Sequence, residues 1–162
     1  MKTKSTIIYM VIALIAVTIS MARPASASDE EKVMKVVTDF TKALNTLDYK
    51  LMSSIWRHSP ETSSFEPTDG YPFLYQGWDE TANWWKDLET TETVTNVQTL
   101  HHPQVTMLTK DVAVTTTYCN NVYTDPETKA QTVALIRQTL VVQKIDGKWL
   151  IVHHHASAFP VE

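Results

Sequence analysis

An α+β fold is predicted, with helices in the first half of the domain and a curved antiparallel sheet in the second. Apolar residues recur every three or four positions up to Leu88, then every second position from about Val94. The β-rich half is cut by Lys110-Asp111, Asp125-Pro126-Glu127 and Asp146-Gly147. These are hairpin sequences, too short for the crossovers of a parallel sheet. At 162 residues, 43% hydrophobic and 20% charged, the chain can bury one core and is no disordered polymer.

Residues 1–27 read as an export signal ahead of a single domain over residues 28–162. Lys2 and Lys4 give a positive start, Ser5 to Ala22 is uncharged, and Ala25-Ser26-Ala27 offers the small residues a signal peptidase accepts. Cleavage is expected after Ala27, giving a secreted or periplasmic protein. Membrane association is expected only if the segment stays uncleaved, because its apolar run of about 18 residues is near the short limit for a span. Taking Lys2, Lys4 and Arg23 from the 14 basic residues leaves 11 against 18 acidic ones, a net charge of −7. That charge repels a phosphate backbone, so nucleic acid is not an expected partner. Three glycines leave no phosphate-cradling loop, and the single Cys119 excludes an internal disulfide or a cysteine zinc cluster. Its place inside an expected strand makes it a buried thiol.

The first helix is expected from about Asp29 to Leu47. Val33, Val36, Val37, Phe40, Leu44 and Leu47 make one apolar stripe, and Ser28 with Glu31 forms a capping box at its start. Asp48 caps a short second helix with Leu51, Met52, Ile55 and Trp56 on its apolar face, ended by Arg57-His58-Ser59-Pro60. Ser63 to Glu66 reads as a short strand, and Pro67 to Pro72 as a loop turning at Asp69-Gly70. Gly77 opens a third helix whose inner face is Trp78, Ala82, Trp85 and Leu88. Four strands follow, at roughly 96–108, 111–124, 130–144 and 148–158, as an antiparallel meander. Strands of this length twist and curl, so a helix laid across the concave side leaves a cone between them.

In chain order, Ser64-Phe65-Glu66-Pro67, Gly77, His102-Pro103-Gln104-Val105, Arg137-x-Thr139, Asp146-Gly147-Lys148-Trp149 and Ile151 to Ser157 carry a family resemblance. They resemble SnoaL-like domains of the nuclear transport factor 2-like superfamily, most of all the association domain of calcium/calmodulin-dependent kinase II. The resemblance covers Asp29 to Pro160. It implies a cystatin-like, cone-shaped barrel in which a curved antiparallel sheet wraps around N-terminal helices. It also implies a deep pocket and a homodimer through the outer sheet face. Members include isomerases, dehydratases, cyclases, hydrolases and non-catalytic binding or assembly modules, so the fold leaves function open. That association domain carries arginines on its pocket strands; Cys119 and Leu140 stand at two of those positions here. Its anion-binding pocket is therefore not carried over.

Strict alternation from Trp149 puts Ile151, His153, His155 and Ser157 on its face, and Leu150, Val152, His154 and Ala156 on the other. His153 and His155 are then the candidate acid–base or ligand-holding groups, or else satisfy packed polar partners, and His154 is expected at the surface. Arg137 and Thr139 share a face of the neighbouring strand. Arg137 either grips a carboxylate- or enolate-like ligand or pairs with an acid such as Glu66 or Asp48. Trp56, Tyr75, Trp85 and Trp149 complete the candidate ligand-binding set, although most rings of this kind serve as core. No metal or cofactor is expected: His153 and His155 would need His101 or His102, which point to opposite faces. Asp111, Asp125, Glu127 and Asp146 all fall at turns, leaving only Asp48 and Glu66 as candidates for a carboxylate inside the cone.

Three functions fit. The first is a domain that binds a small, partly apolar ligand in its cone. The second is an isomerase, dehydratase or cyclase using His153 or His155 with Arg137. The third is a homo-oligomeric assembly module. The thin supply of interior acids counts against the second.

Overall fold

A computed structural model describes residues 27–68, 71–90, 94–125 and 127–159, so nearly all of the expected signal segment lies outside the described residues. Among the described residues three helices, α1 (Asp29–Thr46), α2 (Tyr49–Ser54) and α3 (Trp78–Thr90), interleave with seven strands. The strands are β1 (Ser63–Thr68), β2 (Tyr71–Gln76), β3 (Val94–Thr99), β4 (Gln104–Met107), β5 (Val112–Thr124), β6 (Gln131–Ile145) and β7 (Lys148–Ala158). They form one sheet in the order β2-β1-β7-β6-β5-β3, with β4 also on β5. Every pairing is antiparallel except β1 with β7. The result is the expected α+β cone: a curved sheet wrapped around the helices.

The local signals that start α1 are in place. Ser28 Oγ accepts from the Glu31 N–H at 3.1 Å, and Glu31 Oε2 accepts from the Ser28 N–H at 2.6 Å. Asp48 caps α2 through the Leu51 N–H at 2.8 Å. Val33, Val36, Val37, Phe40 and Ala43 bury the inner face of α1 in a core shared with Ala113, Leu140, Val142, Trp149 and Ile151. The larger of these side chains each contribute roughly 1.5–3 kcal/mol by leaving water. Asp146 and Gly147, at φ 49 and 79, turn β6 into β7 as a two-residue hairpin.

Two expectations are corrected. The strand expected over 96–108 is two strands separated by Leu100–Pro103, where Pro103 has no N–H to give the ladder. The loop expected over Pro67 to Pro72 is mostly hairpin: Thr68 pairs with Tyr71. The expected turn at Asp69-Gly70 lies outside the described residues.

Candidate functional site

The site depends on one irregularity in β7. Ile151 faces Val142 across the ladder, but His153 faces Val141, so Val152 is an extra residue in a β-bulge. An extra residue reverses the alternation beyond it. Trp149 and Ile151 point inward before the bulge; His154 and Ala156 point inward after it. His153, His155 and Ser157 therefore lie on the convex face, correcting the strict alternation expected from the sequence.

His154 is 2% exposed and lies among the rings of Phe40, Trp85 and Trp56, at centroid distances of 5.1, 6.1 and 6.5 Å. Ser64 sits beside it on β1, and Glu66, 5% exposed, projects from the same side of that strand. His154 Nδ1 donates to Glu66 Oε1 at 2.8 Å, and the Ser64 hydroxyl donates to the same oxygen. On the other side of the ring, Gln138 Nε2 lies 3.2 Å from His154 Nε2. The amide donates there, which leaves the imidazole proton on Nδ1. The interior therefore holds a carboxylate–imidazole pair able to keep or hand over a proton. The acid comes from short β1 rather than from the long strands.

Tyr75, on β2, stacks on Trp84 at 5.4 Å and 18°. Burial, and then the charges of Glu66 and Asp87, push its phenol above the ordinary value. Trp84 stands 6.5 Å from Trp85, whose ring meets Phe40 edge-on at 5.6 Å. The indole nitrogens of Trp84 and Trp85 and the hydroxyl of Thr117 are buried without a hydrogen-bond partner among the described residues.

The remaining expected site residues divide by face. Trp56 is buried core beside His154. Trp149 is buried too, but its indole N–H binds Asp29 at 3.2 Å, tying the sheet to the start of α1. Arg137 pairs with Ser157, and Thr139 with His155, so both face outward. Arg137 is exposed and stacks over Phe159 at 4.4 Å, meeting its need for a partner outside the cone. His153 is half-buried, with Ser63 Oγ 2.8 Å from its Nδ1. Burial, and then the neighbouring His154 and His155, hold its pKa down. His155 is exposed beside Phe65.

His101 and His102 border a separate open groove of about 710 Å³ between α1 and residues 99–103, which none of the expected ligand residues lines. Among the described residues no three His, Cys, Asp or Glu side chains are grouped to hold a metal ion. His154, Gln138 and Ser64 are the site residues that sequence reasoning missed. The matched alternation of Ser64 and Glu66 was their only signal.

A curved sheet wrapped around helices is the fold this chain shares with solved nuclear transport factor 2-like structures. The family model for the SnoaL-like domain matches residues 33–162, and the chain belongs to that family. A nuclear transport factor 2-like superfamily protein from Salmonella enterica has the same fold, at 19% identity and a TM-score of 0.71, over 82% of this chain and 92% of its own. A ketosteroid isomerase-like protein from Erwinia carotovora matches at 16% identity and 0.66, over 84% and 100%. The calcium/calmodulin-dependent kinase II hub of S. rosetta matches at 19% and 0.65, over 83% and 100%. Likeness at these identities establishes the fold alone.

Proposed function

We propose that this chain is an exported SnoaL-like domain that binds a small, partly apolar molecule in its cone. The buried Glu66–His154 pair carries the reading. Apolar residues of equal volume stabilise a core as well as or better than a buried charged or polar pair, so a pair kept here is better explained by use than by folding. Tyr75, Trp84 and Trp85 supply the apolar wall beside it. Trp56 and Trp149 act as support, and Arg137, Thr139, His153 and His155 leave the ligand-binding set. We place those outward residues in a homodimer contact through the convex sheet face. Two observations support that placement: the face carries little charge, and kinase hub domains share the fold.

Thermal shift against a metabolite panel tests the pocket, with the wild-type protein beside Gln138→Leu. A ligand that raises the wild-type Tm and loses its effect in the variant supports the reading. Equal shifts in both proteins would overturn the assignment to this cluster.

Glu66 inside the cone favours a second reading, acid–base turnover of the isomerase or dehydratase type. In it Glu66 exchanges a proton with the substrate while His154 fixes the carboxylate. Loss of turnover in Glu66→Gln with substrate affinity retained would separate this reading from binding alone.

A further inference from the structure

The sign of the charge in the cone narrows the ligand further. Glu66 is the only acidic side chain among the described buried residues, which include no Lys or Arg. Its hydrogen bonds from Ser64 and His154 both fall on Oε1. With Gln138 donating to Nε2, the His154 ring is neutral, so the cluster keeps one negative charge in a low-dielectric interior. Cys119 and Leu140, at inward positions of the long strands, are buried and uncharged.

The wall beside the carboxylate is aromatic, built from the stacked Tyr75–Trp84 pair and Trp85. The side-chain cations that lie over rings among the described residues do so elsewhere: Lys86 on Tyr49, Arg137 on Phe159 and Lys144 on Trp149. An anion beside Glu66 meets a like charge, whereas a cation gains from both the carboxylate and the ring faces. Burial first, and then the charges of Glu66 and Asp87, push the Tyr75 phenol up, in keeping with a negative field at this wall.

We infer that the cone takes a small ligand with a protonated amine on an apolar body, its ammonium set against the Glu66 carboxylate and the Tyr75–Trp84–Trp85 wall. The unpartnered indole N–H groups of Trp84 and Trp85 suit a hydroxyl or carbonyl oxygen on the same molecule. The inference rests on the proposed pocket and adds the ligand's charge and chemical class.

Calorimetric titration of the purified protein with three matched probes tests it: phenylethanolamine as cation, styrene glycol as its neutral counterpart, and mandelate as anion. Phenylethanolamine is expected to bind at least about tenfold tighter than styrene glycol, the size of one charge-assisted contact, with no binding of mandelate. Glu66→Gln keeps the side-chain shape and is expected to erase that preference. Should the variant fail to fold, the wild-type ranking still decides. Equal binding of the cation and the neutral probe, or preference for mandelate, overturns the amine assignment and leaves the pocket standing. If all three fail, mass spectrometry of protein purified from its own host decides. A bound amine there supports the assignment, a bound molecule without one overturns it, and no bound molecule overturns the pocket together with it.

Discussion

His154 Nδ1 lies 2.8 Å from Glu66 Oε1, joining residues 88 positions apart that meet because β1 and β7 pair in parallel. Both are buried, Glu66 at 5% and His154 at 2% exposed, and without His154 the carboxylate keeps the Ser64 hydroxyl but loses the imidazole N–H. His154→Ala strands the Glu66 carboxylate and is expected to cost about 3–5 kcal/mol. Replacing the pair together by Leu and Met is expected to cost less than that single change. Urea denaturation of both variants checks the coupling; a double variant weaker than the single one would refute it.

The neighbour one residue on behaves differently. His155 faces outward with its side chain exposed, so His155→Ala is expected to shift monomer stability by no more than about 0.5 kcal/mol. Ligand-induced shifts in Tm are expected to survive it. A loss comparable to that of His154→Ala would place the bulge elsewhere.

Periodicity is readable in a sequence; a break in periodicity is not. Ser28, Glu31, Asp48, Gly77 and Asp146-Gly147 all act locally, so their caps and turns could be read residue by residue. The apolar stripe of α1 could be read too, because its period holds over the whole helix. The bulge at Val152 depends on a distant segment: Ile151 exchanges backbone hydrogen bonds with Ile55 and Arg57, at 2.8 and 2.9 Å, at the end of α2. No residue within β7 announces that contact. One inserted position was enough to exchange His154 for His153 and His155 in the candidate site. Glu66 was legible as one of two candidate interior acids beside Asp48, but the sequence could not choose between them, because the burial of Glu66 depends on β1 meeting β7.

Asp29 joins three elements through its carboxylate. Lys144 Nζ donates to it at 2.9 and 3.1 Å, and the Trp149 indole at 3.2 Å. The Lys144 contact first, then Trp149, lowers its pKa from 3.8 to about 2. A carboxylate depressed in the folded state adds stability that is full above the unfolded pKa and drains as pH falls through the folded one. Asp29→Asn is therefore expected to melt below wild type near neutral pH, with the gap closing between about pH 4 and 2. Melting curves followed by tryptophan fluorescence over that range check it; a constant gap would assign Asp29 no titrating role.

Cys119 is buried on β5, and burial pushes its thiol from 9.0 up to about 11. Only the thiolate attacks disulfide reagents, so labelling of the folded protein at mildly alkaline pH is expected to be slow and to jump on unfolding. Because the folded value is the higher one, stability from this group is present below pH 9 and is lost as pH rises toward 11. Rapid stoichiometric labelling under native conditions would contradict the burial.

The convex sheet face makes the last prediction. The outward positions of residues 114–122, 133–141 and 153–157 carry one permanent charge, Arg137. Val133 and Tyr118 on that face are 56% and 46% exposed. Long strands presenting so little charge invite a partner, and in a twofold pairing each face meets its own copy. Val133→Glu and Tyr118→Glu each place two like charges in such a contact and are expected to give a monomer mass by light scattering where the wild type gives a dimer. Leu108→Glu is the control: it makes the same kind of change at a side chain 59% exposed in the β4–β5 turn, away from the face. A monomeric wild type, or a dimer unchanged by all three substitutions, would remove the sheet face as the interface.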